Sequence, residues 1–170
     1  MKLLFEIDTK DYDPGAAPFI RPSARSIIIE ANKVAMVHSV KYNYYKFPGG
    51  GIEPGESRTE ALIRETLEEA GLIVIPSSVR EYGYVHRIQR GVTAAAFIQD
   101  NYYYFCKAAP YTAPQHLDDY EAEEKFTLEY VDPVTAIRIN REKAHGPKDQ
   151  NMLEREARVL EFLIRDGLLK

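Results

Sequence analysis

Between Gly50 and Leu72 the chain reads GGIEPGESRTEALIRETLEEAGL, and no other stretch limits the fold as tightly. Ser57 has the chemistry of a helix N-cap, and Glu60, three residues on, completes a capping box. Gly71 suits a left-handed helix end. These signals predict a helix that opens just after Ser57 and closes at Gly71. At roughly 100° per residue, Ile63, Leu67 and Ala70 share one face, expected to meet the core. Glu65, Glu68 and Glu69 fall on the opposite side at i, i+3 and i+4, within mutual reach. Arg64 stands four residues before Glu68, placed to hold that carboxylate. Thr66 is expected beside the apolar face, where it affects packing only.

Acidic helix faces are usually just solvated, but like charges at this spacing destabilise a bare helix. The preceding loop, Phe47-Pro48-Gly49-Gly50-Gly51, adds independent weight. Its glycines let backbone N–H groups approach phosphate oxygens, or let the chain turn sharply toward the helix. An all-oxygen carboxylate set suits a hard cation, Mg²⁺ with Mn²⁺ as a substitute. A bridging metal would also explain how a chain of net charge −4 takes a polyanion.

The 170 residues suit one domain spanning 1–170, with an N-terminal strand and arm over 1–24 and a C-terminal helix over 149–167. Lys2–Ile7 reads as a strand and Asp11 to Pro22 as a Pro- and Gly-bearing arm. Ser26–Glu30 and Lys33–Val40 read as a hairpin around Ala31-Asn32. Tyr44–Phe47 leads into the glycine loop. Val79–Ile88 and Asn101–Ala108 read as paired strands with a turn near Gln99-Asp100-Asn101. Tyr111 to Asp119 reads as a polar loop and Phe126–Val131 as another strand. Asp132-Pro133 opens a short helix. Asp149 caps a last helix whose Leu153, Ala157, Leu160 and Ile164 recur at helical spacing, with Gly167 at its end. Strands with helices and mixed connections imply an α/β layered fold. No apolar run approaches the roughly 18–20 residues of a membrane span, and the first residues turn acidic too early for a signal peptide. The single cysteine, Cys106, fits a reducing cytoplasm and a buried structural thiol. Mild acidity without a basic cluster argues against a nucleic-acid polymer as partner.

The Gly50–Leu72 segment resembles the Nudix box, the signature of a family of pyrophosphate hydrolases. That pattern is Gly, five residues, Glu, seven residues, Arg-Glu, an apolar residue, any residue, Glu-Glu, any residue, Gly and an apolar residue. Gly50, Glu56, Arg64-Glu65, Glu68-Glu69, Gly71 and Leu72 supply it, and Thr66 alone departs, where an aliphatic residue is usual. The resemblance implies a mixed sheet between helices, an α/β/α sandwich with the box as loop–helix–loop. It implies Glu65, Glu68 and Glu69 as metal ligands, with the Gly50 carbonyl as a further donor. Glu68 would serve as ligand, base or both, Arg64 would orient the carboxylates, and Glu56 would support the loop or a second metal.

Many members of the family also take a general base from a later loop, where this chain offers Glu121, Glu123 and Glu124. Glu121 and Glu124 share a face if that stretch is helical. Arg25, Lys46, Arg87 and Arg90 are candidates to pair with phosphates, beside the backbone of Gly49 and Gly50. Among the tyrosines, Tyr42, Tyr44, Tyr45 and Tyr102 to Tyr104 offer stacking surfaces, with core packing as the default. His38, His86, His116 and His145 show no metal spacing.

The expected reaction is metal-dependent hydrolysis of a diphosphate bond in a nucleoside diphosphate linked to another moiety, by water attack at phosphorus. The alternative is a non-catalytic nucleotide-binding regulatory module on the same fold, which has no need for all of Arg64, Glu65, Glu68 and Glu69. Arg87 stands where ADP-ribose-cleaving members carry a proline. Ile88, Gln89 and Arg90 stand where dinucleoside-polyphosphate members carry a tyrosine. The upstream motif of coenzyme A-cleaving members is also missing. Nucleoside triphosphates and nucleotide sugars stay open. Homodimerisation through the N-terminal arm is a further expectation of the fold.

Overall fold

The computed structural model describes residues 1–92, 95–142 and 144–170. Strand β1 (Leu3–Asp8) starts the chain, and the arm that follows carries the two-residue β2 (Phe19–Ile20) before β3 (Ser23–Ile27). Then come β4 (Ile29–Glu30), β5 (Lys33–Ser39), β6 (Tyr44–Lys46) and β7 (Gly49–Gly51), and helix α1 (Arg58–Ala70). After it run β8 (Leu72–Val74), β9 (Arg80–Arg90), β10 (Ala96–Phe105) and β11 (Ala108–Thr112). Helix α2 (Asp119–Glu124), β12 (Phe126–Val131), α3 (Pro133–Arg141) and α4 (Gln150–Arg165) complete the chain.

The largest sheet runs β1-β9-β10-β3-β7, with β2 also on β10. Its β1/β9, β2/β10 and β3/β10 pairings are parallel, and β9/β10 and β3/β7 are antiparallel, so the sheet is mixed. A second sheet runs β12-β5-β4 with β6 on β5. Alternation along the strands gives each sheet two packed faces. In β3, Ala24 packs with Leu62 of α1, while Arg25 points the other way, toward Glu156 of α4. In β5, Val34 and Met36 join a core with Val159, Leu160 and Leu163 of α4, and Ala35 and Val37 join one with Ala70 at the end of α1. The expected α/β/α sandwich results, with α1 on one side and α3 and α4 on the other.

Most expected elements appear within a residue or two. The hairpin turn at Ala31-Asn32 has positive φ at both residues, 47° and 63°, the two-residue turn whose twist suits its strands. The predicted first hairpin strand is divided at Ile28, because Ser23–Ile27 belongs to the large sheet and Ile29–Glu30 to the other. The arm is not a plain loop, since β2 pairs with β10, and the polar loop from Tyr111 begins inside β11. The turn expected at Gln99-Asp100-Asn101 lies instead in the middle of β10, and the strands reverse beyond Arg90. Those polar residues sit mid-strand because each has a partner there. Gln99 accepts from Arg87, Asn101 Oδ1 accepts from Ser23 and Arg155, and Asp100 pairs with His86. No helix among the described residues is long and apolar enough to cross a membrane.

Candidate active site

Helix α1 keeps the predicted caps. Ser57 accepts from the Glu60 N–H, Glu60 accepts from the Ser57 N–H, and Gly71 ends the helix at φ 66°. Its packed face is turned from the expected one. Ala61, Leu62, Thr66, Glu69 and Ala70 are buried, whereas Ile63 and Leu67 are only partly so. Thr66 therefore lies in the middle of the packed face, and its hydroxyl has no hydrogen-bond partner. The rotation follows from contacts on two sides of the helix, with β3 and β7 of one sheet and β5 and β12 of the other. It also carries Glu69 inward to 2% exposure while Glu65 and Glu68 stay nearer solvent.

Arg64 gathers the outer carboxylates. It forks onto Glu56 through Nε and Nη2, both at 2.8 Å, and Nη1 donates to Glu65 at 2.7 Å and Glu68 at 3.1 Å. Nη2 also donates to the Gly51 carbonyl at 3.1 Å, which ties the loop to the helix. Arg64 holds the Glu56 carboxyl below its ordinary value. Burial raises the Glu65 carboxyl even though Arg64 pulls it down. Deeper in, Glu69 meets Lys46 Nζ at 2.5 Å and the Gly49 N–H at 3.0 Å. Burial raises the Glu69 carboxyl to about 7, against the pull of Lys46 and that N–H.

The glycine loop closes in on this helix. Gly49 has φ 142°, and a Cβ there would strike the Ala24 carbonyl. A Cβ at Gly50 would fall on the Glu65 carboxylate, so glycine is what lets backbone and carboxylate lie together.

Two adjoining cavities flank these residues. The inner one, about 220 Å³, is lined by Glu65, Glu69, Glu121 and Gly49 to Gly51, with Arg21, Arg25, Lys46, Arg87, Lys148 and Arg155 among the other walls. The outer one, about 440 Å³, is lined by Glu53, Glu65, Glu68, Asp118 and Glu121 with Arg21 and Arg64. Arg21, Gly51, Glu65, Asp118 and Glu121 belong to both, so the acidic and basic halves meet there.

The structure sorts the predicted site residues. Glu65, Glu68, Glu69, Arg64 and Gly50 come together as expected. Glu121, 4% exposed, joins them from α2, where it accepts from the Tyr120 hydroxyl at 2.8 Å and the Asp118 N–H at 3.0 Å. Glu124 shares its helical face but does not reach the cavity. It accepts from Ser39 at 3.0 Å and Tyr44 at 2.7 Å and pairs with Lys148, so it is a buried strut behind the wall. Glu123 pairs with Lys41 in the open.

Arg25, Lys46 and Arg87 all line the inner cavity, and each is tied to protein groups, although Arg25 Nε and Arg87 Nε have no hydrogen-bond partner among the described residues. Arg25 donates to the carbonyls of Phe47 and Gly49, at 3.2 and 3.0 Å. Arg87 donates to Asp149 and Gln99, both at 3.1 Å, and burial lowers its guanidinium to about 10. Arg90 lies at the far end of β9 beside a separate apolar depression with Phe19 and Phe97.

Sequence reasoning missed two contributions. One is Arg21 at the end of the arm. The other is Arg155-Glu156, buried on α4 beneath the glycine loop. Glu156 accepts from the Phe47 N–H at 3.0 Å and pairs with Arg155, whose Nη1 donates to Asn101 at 2.6 Å. A signal existed: Glu156 falls three residues after Leu153 and four before Leu160, on the apolar stripe itself.

Among the described residues no three His, Cys, Asp or Glu side chains are gathered to hold an ion as they stand, because Arg64 and Lys46 engage the carboxylates. The donor chemistry nonetheless fits a hard cation: the carboxylates of Glu65, Glu68 and Glu69 and the Gly50 carbonyl offer oxygens, and the lack of a side chain at Gly50 lets the Glu65 carboxylate lie against its backbone.

A sequence model of the NUDIX domain matches residues 20–155. The chain belongs to the NUDIX family. With every fixed letter of the box in place, it is a Nudix-type pyrophosphohydrolase, and Nudix enzymes generally use divalent metals such as Mg²⁺. Solved structures agree on the fold. One of MutT, from work on Aliivibrio salmonicida and Vibrio cholerae, shows 17% identity, covers 87% of this chain and 99% of its own, and has a TM-score of 0.55. A nudix hydrolase family member from Chromobacterium violaceum shows 21% identity over 86% of this chain and 79% of its own, with a TM-score of 0.51.

Proposed function

We propose that this Nudix hydrolase uses Mg²⁺, with Mn²⁺ as a substitute, to split a diphosphate bond in a nucleoside diphosphate linked to another moiety. The observation that carries the reading is one cavity in which Glu65, Glu69, Glu121 and Gly50 face a cationic wall. Glu65, Glu68 and Glu69 would hold the ion, with the Gly50 carbonyl as a further donor. When bound, it supplies positive charge to the diphosphate and makes water more acidic. Arg64 orients Glu65 and Glu68 from its anchor on Glu56 and Gly51. Glu121, on the rim shared by both cavities, is the carboxylate we assign to take the proton of the attacking water. Arg25 and Arg87 contribute positive field from positions fixed by other bonds. Lys46 reaches a phosphate by giving up one contact, its bond to Glu69. The cavities, about 220 and 440 Å³, suit a small molecule rather than a polymer.

The test is a turnover panel of nucleoside triphosphates, nucleotide sugars, ADP-ribose and dinucleoside polyphosphates, with Mg²⁺ and then Mn²⁺. Metal-dependent cleavage of one class, lost in a folded Glu69→Gln variant, is the expected result. Wild-type rates in Glu69→Gln would defeat the assignment.

A further inference from the structure

Six cationic side chains line the inner cavity, and five of them are engaged by the protein groups described above. Arg21 differs. Among the described residues its guanidinium makes no hydrogen bond and no ion pair, whereas its backbone is pinned on both sides. The Arg21 N–H donates to the Ile98 carbonyl at 3.0 Å, and the Ile52 N–H donates to the Pro22 carbonyl at 3.0 Å. A fixed backbone thus presents one free, exposed cation at the rim where the two cavities meet. The side chain lies over the glycine loop. A Cβ at Gly51 would stand 2.8 Å from its Nε, so the guanidinium lies directly against the glycine backbone.

Arginine carries a planar fork that matches phosphate oxygens, and an unspent fork loses no protein contact when it binds one. We infer that Arg21 clasps the substrate phosphate lying over Gly51, between Glu65 and Glu121, and selects ligands with an anionic group there. The inference takes its ligand from the hydrolase reading, but the binding it describes needs no turnover.

The probe is methylenediphosphonate, a diphosphate that cannot be hydrolysed at its bridge, titrated calorimetrically in Mg²⁺ into wild type, Arg21→Ala and Arg21→Lys. Arg21→Ala should bind roughly 10- to 100-fold more weakly, as loss of a charge-assisted hydrogen bond implies. Arg21→Lys should recover part of that loss. Thermal midpoints should stay together, because no internal contact is removed. With a substrate that is turned over, KM should rise in Arg21→Ala more than kcat falls. Equal binding by wild type and Arg21→Ala overturns the inference, and so does a wild type that does not bind. Tight wild-type binding weakened in Arg21→Ala, with silence across the turnover panel, sinks the hydrolase reading and leaves Arg21 standing.

Discussion

Two regions of this molecule combine acidic and basic residues on a helix, with opposite results. On α1, Arg64 holds Glu65 and Glu68 at the edge of a cavity, with the Glu68 side chain 38% exposed. On α4, Arg155 and Glu156 are 1% and 0% exposed, and Glu156 is further held by the Phe47 N–H. The first set can meet a ligand without losing Arg64, since a cavity and solvent lie beside it. The second cannot, because removing either partner leaves a buried charge alone. The incompletely buried set is left open to a ligand, and the buried pair holds the glycine loop in place beside it.

The largest effect on that comparison comes from cutting the buried pair. Glu156→Ala strands Arg155 and leaves the Phe47 N–H unpaired, so a loss of about 3–5 kcal/mol is expected in chemical denaturation. Glu68→Ala should cost less than about 1 kcal/mol, because its bond to Arg64 is solvent-screened. Similar losses in the two variants would erase the distinction between them.

Thr66 gives a smaller effect of opposite sign. Its buried hydroxyl has no partner, so Thr66→Val should stabilise by about 1 kcal/mol. That corresponds to a melting point raised by roughly 2–4 °C in scanning calorimetry. A destabilised Thr66→Val would mean that the hydroxyl is satisfied in solution.

At neutral pH the smallest expected effect concerns Cys106, whose thiol burial pushes up to about 12 from 9.0. Between those values the folded thiol keeps its proton while the unfolded one loses it. The native state then binds more protons, and stability falls as pH rises through that window. Cys106→Ala should flatten that alkaline decline, and the native thiol should resist iodoacetamide at pH 8. Fast alkylation of native protein would show that the thiol is accessible.

How much was legible follows from where each signal is stored. The caps of α1 were readable because Ser57, Glu60 and Gly71 act within one turn of themselves. The spacing of the carboxylates was readable for the same reason. The rotation of α1 was not, since packing from two sheets put Thr66 and Glu69 inward where the apolar pattern favoured Ile63 and Leu67. The misplaced turn at Gln99-Asp100-Asn101 has a related cause: polar residues in a strand look like a turn until their partners on other elements are seen. Glu121 and Glu124 were equivalent in sequence, and only the neighbours Ser39, Tyr44 and Lys148 separate the strut from the cavity residue.

In the proposed site the α1 carboxylates take a divalent metal as Glu69 gives up Lys46, while Arg64 keeps Glu65 and Glu68 in place. A Mn²⁺ titration followed by electron paramagnetic resonance tests it directly, with wild type and Glu65→Gln compared at equal foldedness. Wild type should take up Mn²⁺, and Glu65→Gln should bind it at least roughly tenfold more weakly. Identical Mn²⁺ binding by the two proteins would contradict the account.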